Sequence, residues 1–320
     1  MKKTTRKVIV ALSTLAVIAL LYSYLCLILL PKSINDQGGD MFYRTKGFLA
    51  EPVENSLDVI AFGHSGVYSA FSPVTMYTEF GYTAYSSAAG YQTIDKINIL
   101  IEQSKKVQKP KIILLDTDCL YLPPGQSNFW WQIGSPLVYH SRWKTLKAKD
   151  FYTFPGQNST PDLTKGYYFS NRTVAVDPNN YMGKETATPL KLSRKNEREL
   201  NKLVKFCATH DVKLVLVDFA NVTSWNYAKH NYIASYAEKK GVPFLDFNVA
   251  KDTFPIDFAN NFRDAGDHYN LYGAEKATRF LGEYIKKNYG AELADKRNDP
   301  TFKYWEDAVA YYENLKTAKP

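Results

Sequence analysis

The feature that most constrains this chain is an alternation of short apolar runs with helical stripes. Leu57 to Phe62 is one such run, and it ends in Gly63-His64-Ser65-Gly66. Lys111-Ile112-Ile113-Leu114-Leu115-Asp116 is another, apolar at consecutive positions and so suited to burial on both faces of a sheet. Val212 to Phe219 and Val242 to Phe247 repeat the pattern, and Thr83 to Ser87 supplies a shorter candidate. Between these runs lie helical segments. Pro73 to Phe80 is closed by Gly81, and Thr93 to Gln108 has apolar residues at 94, 97, 100, 101 and 107. Residues 193 to 209 place theirs at 200, 203, 204, 206 and 207. Tyr227 to Lys239 is stopped by Gly241, and Tyr272 to Tyr289 is ended by Gly290. Strands separated by helices predict an α/β fold, a doubly wound and mainly parallel sheet covered on both faces. In such sheets ligands bind outside the carboxyl ends of the strands, and Ser65 follows one of those ends.

The start of the chain obeys a different rule. Residues 8 to 30 contain no charged side chain, and most are Val, Ala, Leu or Ile. A stretch of about 20 apolar residues is enough to span a bilayer. Lys2, Lys3, Arg6 and Lys7 precede it, so the tip at 1–7 is expected in the cytoplasm and the bulk of the chain outside. The alternative is a cleaved signal peptide. The apolar stretch is long for that, and no small-x-small site follows it before Pro31-Lys32. An uncleaved, single-pass anchor in the cell membrane is the expectation. The net charge of +8 is weighted toward this tip, and no Lys/Arg-rich run elsewhere argues for nucleic acid.

The remaining organisation follows from composition. Residues 31–55 read as a polar stalk and 56–290 as the α/β domain. Residues 120 to 190 are rich in Tyr, Trp, Gly, Pro, Ser and Asn with little periodicity, and Phe129-Trp130-Trp131 and Tyr139 to Trp143 stand out. Such an insertion forms either a lid or binding surface, or an ordinary aromatic-packed excursion. Residues 291–320 read as a charged, aromatic appendage. The five histidines, at 64, 140, 210, 230 and 268, have no Cys or His partner at zinc spacing, so no metal and no cofactor is expected. Cys119 and Cys207 show no framework spacing and read as two separate buried thiols rather than a pair.

Two settings suit acyl chemistry. A serine hydroxyl needs a base, and histidine titrates near neutrality. An acid on the other ring nitrogen fixes the tautomer. Ser65 is the candidate nucleophile and His268, in Asp264-Ala265-Gly266-Asp267-His268, the candidate base. Asp264 is the preferred acid. Asp267, adjacent to the histidine, is the alternative, through a turn that Gly266 could supply. His64 reads as a pocket residue. The Ser65 N–H, Gly90 and the Gln92 amide are candidate donors to an oxyanion, each worth about 3 kcal/mol in such sites.

The segment Ile60 to Pro73 resembles the first block of bacterial membrane-anchored SGNH/GDSL-type proteins, the branch related to the teichoic-acid D-alanylation (DltD-like) and alginate acetylation proteins. Their Gly-Ser-Ser-His-type block places the nucleophile on Ser65. Gln108 to Asp116 resembles the family's third strand, and Asp264 to Lys276 its closing block, often Asp-x-x-His-x-Asn-x-x-Gly-Ala. Three departures stand out. The usual Asp before Ser is missing, and the acid–His spacing is one residue longer. Asp116-Thr117-Asp118 stands where Gly-x-Asn-Asp is usual. The resemblance implies a three-layer α/β/α domain with a flavodoxin-like (SGNH) sheet after one transmembrane helix. It implies a serine esterase or O-acyltransferase acting on a surface polysaccharide or teichoic-acid-type polymer, with a multi-spanning membrane O-acyltransferase as a partner. A non-catalytic scaffold of an acylation complex is the rival reading.

Overall fold

A computed structural model describes residues 3–32, 43–123, 135–152, 162–179, 181–250 and 252–318. The chain divides into two compact units, residues 1–43 with 126–160, and residues 44–125 with 161–320.

The larger unit is built on five parallel strands: β1 (Val59–Gly63), β2 (Ala84–Ala88), β3 (Ile112–Asp116), β4 (Lys213–Asp218) and β5 (Phe244–Asp246). Their spatial order is β2-β1-β3-β4-β5. The first crossover places β2 on one side of β1 and the next places β3 on the other, so the winding direction reverses between β1 and β3. The carboxyl ends of those two strands therefore flank the crevice where a doubly wound sheet exposes a binding site. The expected α/β/α architecture is what the chain adopts.

Alternation along each strand fills two cores. Ile60, Phe62, Ile113, Leu115, Leu214 and Leu216 face one side. Val59, Ala61, Ile112, Leu114, Val215 and Val217 face the other. The helices are α2 (Ser65–Ala70), α3 (Pro73–Phe80), α4 (Ile94–Ser104), α5 (Arg194–Thr209), α6 (Tyr227–Lys240), α7 (Leu271–Tyr289) and α8 (Trp305–Thr317). α4, α5 and α6 cover the first side, and α7 the second. Local chemistry sets their ends. Ser72 caps α3 by accepting the Thr75 N–H, Pro73 starts it, and Gly81 ends it at φ 75°. Asn226 caps α6 through the Lys229 N–H, and the Asn270 side chain accepts from Tyr272 and Gly273 at the start of α7.

Two boundaries differ from the sequence reading. The supposed stalk already contributes to the core, because Phe48 is fully buried against Phe62 and Tyr85. The C-terminal segment is also more than an appendage. Trp305 is fully buried, stacks on Tyr77 with centroids 4.8 Å apart, and lies under the Lys165 ammonium. Aromatic residues set every few positions among charges hid this face, since a single short helix gives a weak stripe. Cys119 and Cys207 are free, buried thiols.

In the smaller unit one long helix, α1 (Lys3–Leu29), is exposed over most of its length. It is long and apolar enough to cross a bilayer, a test a signal sequence also passes. Its last turn is held within the unit. Arg142 is buried, donates to the Leu29 carbonyl at 3.2 Å and to that of Leu30, and pairs with Asp150 at 3.3 Å. Tyr24 donates to the Phe151 carbonyl at 3.0 Å. Phe129, Trp130 and Trp131 lie outside the described residues.

Trp305→Ala should destabilise the larger unit by about 3–5 kcal/mol, the range for deleting a buried aromatic. Denaturant unfolding checks this, and a loss below about 1 kcal/mol would return the segment to the status of an appendage.

Candidate active site

The site begins at the carboxyl end of β1. Gly63 is packed so tightly that a Cβ there would lie 2.4 Å from both Asp116 Cβ and Val67 Cγ2. This close approach lets β1 and β3 end side by side, and the chain turns directly into α2. His64 caps that helix: its Nδ1 accepts the Gly66 N–H at 2.9 Å. Ser65 is the first helical residue, half-buried, and its N–H makes no hydrogen bond among the described residues.

Beneath this turn is a buried polar network that the sequence did not announce. His64 Nε2 is 3.0 Å from Asp118 Oδ2. Lys229, from α6, donates to Asp118 Oδ1 at 2.8 Å, and the Ser224 hydroxyl donates to Oδ2. The Asp116 carboxylate accepts the His64 N–H at 3.3 Å and lies 3.6 Å from Nδ1. Burial works to lower the His64 pKa, but Asp116 and Asp118 overcome it and push it up to about 9. Burial pushes Asp116 upward as well. The Gly66 N–H at Nδ1 opposes an imidazolium, because that nitrogen cannot then accept. The hydrogen bond at 2.9 Å is the closer contact, so Nδ1 is the accepting nitrogen and a ring proton sits on Nε2, toward Asp118. Burial would raise Asp118, yet hydrogen bonds from His64 and Lys229 hold it well below the usual carboxylate range.

His268 sits in the loop before α7, beside the bridge between Phe262 and Tyr269. Its Nδ1 is 2.6 Å from Asp264 Oδ2, while Asp264 Oδ1 accepts the backbone N–H groups of Asp267 and His268 at 3.0 and 3.1 Å. Gly266, at φ 106°, absorbs the extra residue in the acid–His spacing. A Cβ there would also meet Val222 at 2.8 Å. Asp267 turns away from His268 and accepts from the Thr223 hydroxyl, facing a small polar cavity lined by His64, Asp116, Asp118 and Asn221. Burial lowers His268 below the ordinary histidine value; the hydrogen bond to Asp264 opposes that shift and the charge of Arg263 adds to it. Burial raises Asp267.

Tyr68, one turn along α2 from Ser65, lies parallel to the His268 ring at an interplanar angle of 4° and a centroid distance of 6.3 Å. Burial pushes its phenol upward, while Arg263, Arg44 and the Ser65 hydroxyl beside it act the other way. Among the described residues, Ser65 Oγ makes no hydrogen bond to His268. His268 and Asp264 are therefore in contact, while the contact between Ser65 and His268 is open. Gly90 sits in the turn after β2, next to the end of β1 through the Ala88–Gly63 pairing, and outside the left-handed region. Gln92 is buried and spends an amide N–H on the Ser87 carbonyl at 2.8 Å, an internal role and not that of a donor aimed at Ser65.

No protein-family model and no curated protein matches the sequence. Among solved structures, the chain is similar to a GDSL-like lipase from Bacteroides thetaiotaomicron (11% identity, 80% of this chain and 99% of that one, TM-score 0.38). It is similar to a lipase/acylhydrolase from Enterococcus faecalis (8%, 72% and 96%, 0.39). A psychrotrophic esterase from a Pseudoalteromonas species gives 11%, 72% and 97%, and 0.36. Likenesses this distant carry no weight for activity, which rests on the residues themselves.

Asp118→Asn should destabilise the protein by about 3 kcal/mol, because the Lys229 ammonium loses its carboxylate. The depressed Asp118 contributes stability that is present above the ordinary carboxylate pKa and lost as pH falls through its folded value. That acid-sensitive part should vanish from the variant's stability–pH curve. Wild-type stability and an unchanged acid limb would overturn the assignment.

Proposed function

We propose that this protein is a membrane-anchored, extracytoplasmic SGNH-like serine esterase or O-acyltransferase. Its substrate would be a cell-surface polysaccharide or teichoic-acid-type polymer. The observation that carries the reading is the 2.6 Å contact between His268 Nδ1 and Asp264, at the same sheet edge as a serine on a strand-to-helix turn. In the proposed reaction Ser65 Oγ attacks the acyl carbonyl and gives its proton to His268 Nε2. The tetrahedral oxyanion is met by the Ser65 N–H, with Gly90 as a further candidate donor. The leaving alkoxide takes the proton back, which leaves an acyl ester on Ser65. Water or a sugar or polyol hydroxyl then gives its proton to His268 and attacks that ester, and His268 passes this proton to Ser65 Oγ as the bond between Oγ and the acyl carbon breaks. Asp264 holds the imidazole in the Nδ1–H tautomer throughout.

Anchoring is supported by the grip of Arg142 on the end of α1, since cleavage would strip a buried guanidinium of two acceptors. By the family resemblance, a multi-spanning O-acyltransferase is the partner that would supply the acyl group. The open serine–base contact and the Asp116-Thr117-Asp118 segment favour a second reading, a non-catalytic scaffold of such a complex.

The test is hydrolysis of p-nitrophenyl acetate by the full-length protein in detergent. Ser65→Ala and His268→Ala should each lower kcat/KM by at least about 10³-fold, and Asp264→Asn by about 10²- to 10⁴-fold. Because His268 is held below the ordinary histidine value, kcat/KM should fall only when pH drops through that lowered pKa. Turnover equal in wild type and Ser65→Ala would move the scaffold reading to the front. Peptide mapping of the membrane fraction should recover the Lys3–Leu29 segment, and its absence would establish a cleaved signal peptide.

A further inference from the structure

Beside the Ser65–His268 edge is a cation with no ion pair among the described residues, Asp264 acting on it only at longer range. Arg263 is half-buried, and its backbone N–H donates to the His268 carbonyl at 3.0 Å, so the two residues face each other across one bridge. Its guanidinium lies 4.3 Å from the Tyr168 ring centroid and 5.9 Å from that of Tyr68, the ring parallel to His268. Nη1 is buried and makes no hydrogen bond among the described residues. No ion pair among those residues involves Arg263. A second guanidinium, that of Arg44, approaches the same two rings at 5.2 and 5.4 Å. Ring faces offer a partial partner to a cation, worth about 0.5–2 kcal/mol. They do not satisfy a fork of N–H donors, and a desolvated charge is costly unless it is paired.

We propose that Arg263 anchors an oxyanion, a phosphate or carboxylate, carried by the substrate next to its ester. The site then prefers esters of anionic polyols or sugars to neutral ones. This rests on the esterase reading above and narrows its substrate class. The planar fork of Arg263 fits two oxygens of such a group, and the half-exposed Tyr168 ring offers a flat face to the carbon skeleton beside it. The electrostatics point the same way. The Arg263 charge disfavours the imidazolium that His268 must become during acylation, and a bound anion cancels that charge where it opposes the reaction.

The experiment has a binding arm and a turnover arm, both on the full-length protein in detergent. In the first, glycerol 3-phosphate and glucuronate are titrated calorimetrically into Ser65→Ala, alone and combined with Arg263→Gln or Arg263→Lys. Binding of at least one probe should weaken about tenfold or more with Gln and less with Lys. The probe that binds identifies the oxyanion. In the second arm, kcat/KM is compared for acetylated glycerol 3-phosphate against acetylated glycerol, and for acetylated glucuronate against acetylated glucose. The anionic-to-neutral ratio should exceed one in wild type and fall about tenfold in Arg263→Gln. A merely structural Arg263 lowers both members of a pair equally and leaves the ratio unchanged, which overturns the proposal. Absence of binding by either anion overturns it as well. Binding without turnover of any ester instead contradicts the esterase reading and leaves an anion-binding site.

Discussion

The carboxylate of Asp118 is the interaction on which the rest of the site depends. It collects a ring nitrogen from the turn after β1, a hydroxyl from the loop after β4 and an ammonium from α6. These segments are remote in sequence and meet only because the sheet reverses its winding between β1 and β3. The carboxylate fixes the His64 ring, the ring caps α2, and the cap sets where Ser65 stands. The tight contact of Gly63 with Asp116 completes the arrangement, since a side chain there would push the two strand ends apart.

The network also explains how one sheet edge can hold two histidines of different character. His64 is surrounded by carboxylates and locked to a helix N–H. His268 has one carboxylate on Nδ1, and burial, with a smaller contribution from the Arg263 charge, holds its pKa below the ordinary histidine value. A base must have a ring nitrogen free to accept a serine proton, and of the two only His268 does among the described residues, because His64 Nδ1 is spent on the Gly66 N–H and Nε2 on Asp118. Arg263 thus does two things. It lowers the readiness of His268 to charge, and it offers a place where an anionic substrate reverses that effect.

Much of this was legible in the sequence. The strands and most helices were marked by buried apolar runs and by residues such as Pro73, Gly81 and Gly241, whose backbone preferences leave little choice. Asp264 was preferred over Asp267 from the tendency of adjacent side chains to point apart, and the structure places Asp264 against the ring. The Asp118 cluster was not legible, because its members come from distant segments and no spacing in the sequence joins His64 and Asp118 to Ser224 and Lys229. Arg263 escaped notice because its setting, against the Tyr68 and Tyr168 rings with no ion pair among the described residues, is decided by packing. Gln92 misled because its position after β2 fitted a donor, while its amide is spent on the Ser87 carbonyl. Trp305 and Phe48 lay in short segments whose burial is decided by tertiary contacts, not by periodicity.

The most direct test of the central claim is mass-spectrometric mapping of the residue modified when the folded, full-length protein meets a fluorophosphonate. An activated serine at this turn predicts a single adduct on Ser65, lost in both Ser65→Ala and His268→Ala. No adduct on the folded protein, or an adduct elsewhere that survives Ser65→Ala, would contradict the account.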